Sequence, residues 1–326
     1  MSLATGIILS FTAAFAWGSS MVAFKVGVKD TDPLNATYIK GILAVPLLLL
    51  IGLVSFGSSS YSQLFVHPNY FWLIGAIISI AFGDFFSLFA LKKIKVSIAQ
   101  PITAIYPLFT NLTLFFTKKE DINWLIIVGT VIIISGIMFI TYFSQRNSNT
   151  MKIIESLNEK IEKEQVDKSG ARSNSVRGII LSFLAAIFWG LTIFFTKLLL
   201  DDPQVEVIPM MGIRNGLMVV VAAFFVLTRY FIRKDISFRN LFAPKKDALF
   251  LIGGGALAWC VGGVSFFTAV RQIGAGISTP LSSISPFIVI LLGIIFLKEK
   301  LTRKQFIGIF LIIAGTILLS LKELIP

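Results

Sequence analysis

Five charged side chains stand inside long apolar runs: Lys40, Asp84 and Arg214, and, matched across a repeat near the ends of their runs, Lys25 and Lys197. Charge in hydrocarbon is expensive, so each of them must meet protein, water, a ligand or the membrane edge. Lys40 and Arg214 occupy corresponding places in an internal repeat, Ile39-Lys40-Gly41 against Ile213-Arg214-Asn215. Two such cations could dock an anionic group such as a carboxylate. Otherwise each long side chain carries its charge out to the nearer interface. Asp84, in the stretch FGDFF, is the one carboxylate at this depth. It could take up and release a proton during a cycle, or serve as the fixed counter-ion of Lys40; its equivalent in the second copy is Gly263.

Around these charges run uncharged polar stripes. Gln100, Thr103, Tyr106 and Thr110 recur at steps of three and four, which places them on one helical face, and Thr279, Ser282, Ser283 and Pro286 do the same later in the chain. Both stripes sit among prolines, Pro101 and Pro107 in the first and Pro280 and Pro286 in the second, where a missing N–H frees a carbonyl and permits a kink. A polar stripe on an otherwise lipid-compatible helix lines water or a solute, or else hydrogen-bonds a neighbouring helix. Trp17 and Trp189 stand mid-run, away from the interfacial belt that tryptophan favours, so each walls a pathway or packs tightly under Gly18 or Gly190. Glu120 and Glu299, beside lysines at the ends of the proline segments, read as helix-end and gate-loop partners.

The elements that must position these groups are apolar. With 56% hydrophobic and 14% charged residues, the 326-residue chain holds more apolar side chain than one soluble core buries. Runs of the length that crosses a bilayer fall near 4–28, 34–56, 70–91, 97–117, 122–144, 177–199, 206–228, 248–270, 276–297 and 304–321. The polar segment 145–176 separates the first five from the second five, giving units of 1–144 and 177–326. Within it Ile154, Leu157 and Ile161 have helical spacing, so it forms a surface helix or a solvated linker. GIILSFTAAFAWG at Gly6 to Gly18 returns as GIILSFLAAIFWG at Gly178 to Gly190, and Gly83 to Ile140 aligns with Gly262 to Leu319. Five spans are an odd number, so the second copy enters the membrane from the opposite side. The expected fold is an all-α integral membrane protein of ten transmembrane helices, built as two inverted five-helix repeats.

This unit resembles a known family. Trp-Gly in the first helix, proline in the fourth, Glu just past it and two glycines in the fifth (Gly129 and Gly136, Gly308 and Gly315) look like the ten-helix EamA-type permeases of the drug/metabolite transporter superfamily. Lys119 and Lys298, which precede the two Glu residues, depart from the small residue often found there, and the loop Gly57 to Asn69 lacks the usual basic residues. The resemblance implies that spans one to four and six to nine enclose a central cavity, with five and ten at its periphery. The glycine faces of five and ten suit close packing, including a homodimer contact.

Of the lysines and arginines outside the spans or at their first residue, 21 follow odd-numbered spans and four follow even-numbered ones, which puts the odd loops in the cytoplasm and both termini outside. The resembling family is drawn with cytoplasmic termini. The +12 charge lies in short loops without any nucleic-acid motif, so the partners expected are the lipid bilayer and a small-molecule substrate. One His and one Cys exclude a His/Cys metal site, and no cofactor is expected. No GxxxxGK[ST] loop, second intramembrane Asp or HExxH accompanies Asp84 and His67, which argues against ATP hydrolysis and intramembrane proteolysis. What remains is a secondary transporter in the cell membrane. It is expected to move an amino acid or related organic acid, with export its direction; a nucleotide-sugar or sugar-phosphate exchanger is the alternative.

Overall fold

In a bilayer each backbone N–H and C=O needs an internal partner, and an α-helix supplies all of them within one segment. The computed structural model describes residues 3–94, 96–139, 168–228, 230–231, 244–297 and 303–320, and every regular element among them is helical. The first half contains α1 (Leu3–Gly27), α2 (Pro33–Ile39), α3 (Gly41–Phe56), the short α4 (Ser59–Ser62), α5 (Asn69–Lys93), α6 (Val96–Thr103), α7 (Tyr106–Thr117) and α8 (Trp124–Phe139). The second contains α9 (Lys168–Leu200), α10 (Val207–Thr228), α11 (Lys245–Ala256), a π-helical turn (Leu257–Gly263), α12 (Val264–Ile273), α13 (Ala275–Ser282), α14 (Ser285–Leu297) and α15 (Arg303–Ser320). Six of the described helices are long and apolar enough to cross a membrane. Helix α9 begins at Lys168, so the end of the expected linker extends the helix that follows. Ile154, Leu157, Ile161, Lys298 and Glu299 lie outside the described residues.

The radial pattern is that of a protein dissolved in lipid. Large apolar side chains point outward, with Val54 78% and Phe116 73% exposed, while Lys40 and Arg214 are only 2% exposed. The main packing runs between halves: α5 against α9, α1 against α11 and α12, α3 against α10, α7 against α9, and α1 against α13 and α14. Helices α8 and α15 meet through their glycines. A Cβ on Gly136 would lie 2.7 Å from the Gly308 carbonyl oxygen, and one on Gly129 within 3.2 Å of that of Gly315. These small faces join two helices of the same chain, which is where the close packing expected of them is used.

Prolines set the breaks. Pro101 and Pro107 flank the turn between α6 and α7, where Ala104 N–H still reaches Gln100 O but Ile105 N–H reaches only Ile102 O. Pro280 and Pro286 flank the same turn between α13 and α14, with Ser283 N–H to Thr279 O and Ile284 N–H to Leu281 O. A third break, at Lys40 between α2 and α3, has no proline beside it; Pro46 lies one and a half turns further on. Loops are stitched across the halves: buried Asp247 accepts from Asp30 N–H and Thr31 Oγ1, and Asn69 donates to Asp202.

Candidate functional site

At the junction of the two halves the helices leave a cavity of about 120 Å³, lined by Trp17, Lys40, Asp84, Gln100, Trp189 and Arg214 together with Thr103, Tyr106, Ser285 and apolar neighbours. The break at Lys40 places its side chain here. Lys40 Nζ lies 2.5 Å from Asp84 Oδ2, and Trp189 Nε1 donates to Asp84 Oδ1 at 3.2 Å, so each carboxylate oxygen holds one donor. The ammonium also stands 5.2 Å from the Trp259 ring centre and 5.4 Å from that of Phe24, within cation–π range. Of the two roles open to Asp84, the geometry displays the ion pair.

Arg214 is held differently. Its Nε donates to Asn215 Oδ1 at 3.2 Å, one Nη1 hydrogen goes to Thr196 Oγ1 at 3.0 Å, and the guanidinium carbon lies 4.8 Å from the Phe267 ring centre. Thr196 in turn donates to Thr192 O, which fixes its oxygen as an acceptor. Among the described residues no carboxylate lies within 4.0 Å of Arg214. Neither Lys40 nor Arg214 runs out to an interface; both charges stay in the cavity wall.

The first stripe divides. Gln100, Thr103 and Tyr106 face the cavity, whereas Thr110 donates to Tyr106 O and Gly190 O, against α9. Gln100 is 3% exposed and its side-chain amide has no protein partner among the described residues. None of the second stripe lines the cavity; the neighbouring Ser285 does. Thr279, Ser282 and Ser283 donate to carbonyls of their own helix, at Ala275, Thr279 and Pro280, and Tyr106 Oη meets Ser282 Oγ at 2.7 Å and Thr279 O at 3.2 Å. The four prolines, Pro101, Pro107, Pro280 and Pro286, act here by shaping the two broken helices that make this contact.

Both indoles line the cavity, and each packs on a glycine of the opposite half. A Cβ on Gly83 would sit 2.4 Å from Trp189 Cδ1 and one on Gly262 2.7 Å from Trp17 Cδ1. Trp17 Nε1 donates to Ala258 O in the π-helical turn at 3.0 Å. Gly18 and Gly190, expected to seat the indoles, instead admit backbone: a Cβ there would meet Ser285 O and Tyr106 O.

At one end of the bundle Glu120 ties the segment after α7 to the start of α13. Its two oxygens accept from Ala275 N–H and Gly276 N–H, each at 2.8 Å, at the positive end of α13, and Lys197 Nζ lies 3.6 Å away while also pairing with Asp201. At the other end Lys25 donates to the last carbonyls of α5 and its cap, Leu91 O and Ile94 O. Charge-assisted caps contribute about 1.5–3 kcal/mol. Glu120→Ala is therefore expected to speed deuterium exchange at Ala275 and Gly276 by roughly tenfold or more; unchanged exchange there would show that the cap holds nothing.

Residues 4–142 and 176–321 match the EamA-like transporter family. A cavity that holds a few charged and polar groups between helices with apolar outer faces suits such a protein; the chain belongs to the EamA-like transporter family and is a multi-pass membrane transporter. It is 25% identical over 320 residues to an "Uncharacterized transporter" of Archaeoglobus fulgidus, covering 98% of this chain and 99% of that one. It is 24% identical over 322 residues to the "Probable glucose uptake protein GlcU" of Priestia megaterium, covering 96% and 98%. A solved crystal structure superposes with a TM-score of 0.67 at 15% identity over 97% of this chain and 98% of the other, a likeness of fold.

Proposed function

We propose that the chain is a secondary transporter that carries a small polar solute, an organic acid or amino acid, through the central cavity by rocking two inverted five-span repeats, with export as its direction. The ten spans of this reading correspond to α1, α2–α3, α5, α6–α7, α8, α9, α10, α11–α12, α13–α14 and α15. The exchanged pairings support the inversion: α1 packs on α12 as α9 packs on α5, and Trp17 rests on Gly262 as Trp189 rests on Gly83. A substrate site between such repeats opens to each side in turn.

The observation that carries the proposal is Gln100. Its side-chain amide lines the cavity without a hydrogen bond to protein among the described residues, so water or solute must satisfy it there. Gln100→Leu should therefore abolish counterflow of the transported solute in liposomes while leaving the thermal midpoint in detergent unchanged or raised. Retained counterflow would move the transport site elsewhere. The cavity is comparable to one of ~150 Å³ that encloses benzene, which disfavours a nucleotide-sugar. A monosaccharide is the second reading, favoured by the glucose-uptake name of the Priestia relative and by the indoles of Trp17, Trp189 and Trp259 in the cavity wall. Glucose counterflow without response to organic acids would establish it.

A further inference from the structure

Three charged groups line the central cavity, Lys40, Asp84 and Arg214, and their sum is +1. Lys40 and Asp84 form a neutral pair at 2.5 Å. Arg214 carries the charge left over and has no carboxylate in contact: it is 2% exposed, with one hydrogen on Asn215, one on Thr196, and no carboxylate within 4.0 Å among the described residues. Among the described residues, three of its five N–H groups, including both on Nη2, have no protein partner.

We infer that the central site selects a solute of net charge −1, a compact monocarboxylate docked on the free edge of the Arg214 guanidinium. The inference rests on the central cavity being the transport site, as proposed above. Buried charge is stable only when compensated, and one carboxylate neutralises +1 while matching the planar fork with two parallel hydrogen bonds. A zwitterion brings an ammonium for which no acceptor charge is free. Both Asp84 oxygens are occupied, by Lys40 and Trp189, and the two cations repel it. A phosphate dianion overshoots to −1 in an enclosed apolar setting. A neutral sugar leaves Arg214 uncompensated. Gln100, unpartnered in the same wall, supplies a donor and an acceptor for a hydroxyl or oxo group on the remainder of the acid.

The test is a matched panel on the purified full-length protein, read by thermal shift and by fluorescence of the cavity tryptophans. Lactate and pyruvate carry −1, alanine is the zwitterion on the same skeleton, lactamide is neutral, glycerol 3-phosphate is the dianion, and glucose and potassium chloride complete the set. Lactate or pyruvate should bind at least tenfold tighter than alanine, lactamide or glycerol 3-phosphate. Arg214→Gln should remove that preference, a loss of roughly tenfold to a hundredfold for one charge-assisted contact, and Arg214→Lys should retain part of it. The inference is overturned if alanine or glycerol 3-phosphate binds as tightly as lactate. It is equally overturned if chloride substitutes for lactate or if the preference survives Arg214→Gln. Binding of glucose alone, abolished by Gln100→Leu, would remove the charge inference and leave central-site transport standing. Silence of the whole panel in wild-type protein that unfolds cooperatively would remove both.

Discussion

Asp84→Asn is expected to destabilise the protein by roughly 3–5 kcal/mol, because it leaves Lys40 buried without its counter-ion. The variant converts the cavity from +1 to +2, with Lys40 held between the Trp259 and Phe24 rings and no other described carboxylate at hand. A thermal midpoint in detergent should fall by roughly 10 °C. Lys40→Met should cost less, since Asp84 keeps the Trp189 indole donor and its field already reaches Arg214. The double variant Lys40→Met/Asp84→Asn should recover most of the loss: replacing a buried pair together is often close to neutral, and Asn still accepts from Trp189. A double variant as unstable as Asp84→Asn would show that the pair is not the unit. The same double variant should keep the wild-type pH profile of transport, since Asp84 acts as a counter-ion; a pH response that disappears with it would give Asp84 the proton instead.

The places where helices begin, bend and pair with an equivalent were legible in the residues themselves. Apolar length placed the six described helices that are long enough to cross a membrane, Pro101, Pro107, Pro280 and Pro286 placed two of the three breaks, and the repeat paired Lys40 with Arg214 and Trp17 with Trp189. What could not be read was which face each helix turns inward, because the glycines, serines and threonines that decide rotation look alike along these segments. Thus the stripes of α6–α7 and α13–α14, matched in spacing, divide: Gln100 faces the cavity while Ser282 and Ser283 are spent on their own helix and on Tyr106. Thr192 and Thr196 follow Trp189 at helical steps, so the seat of Arg214 did have a signal. Trp259 had none, since its inward aim depends on the π-helical turn at Leu257–Gly263, which no proline marks.

Gly255→Ala should separate the cavity from its frame more sharply than any cavity-lining substitution of similar size. In an ordinary helix interior glycine to alanine stabilises by up to about 1 kcal/mol, through propensity and reduced unfolded-chain freedom. At Gly255 the sign reverses. A Cβ there would lie 1.9 Å from the Lys40 carbonyl oxygen and 2.7 Å from its carbon, both backbone atoms that no rotamer change can move aside. Helix α11 must back away from the break between α2 and α3, carrying off the wall that seats Lys40 beside Trp259. Overpacking of this kind typically costs 1–3 kcal/mol, and displacement of Lys40 from Asp84 adds to it, so a loss of roughly 3 kcal/mol or more is expected, together with loss of solute response. Gly253, two residues earlier on the same helix, has nothing within 4 Å of an added Cβ and provides the internal control: Gly253→Ala should be neutral or stabilising by up to ~1 kcal/mol. Thermal midpoints of the two variants measured side by side decide the matter. Equal effects would mean that the approach of Gly255 to Lys40 is not what shapes the break, and the placement of the cavity's one ion pair would need another cause.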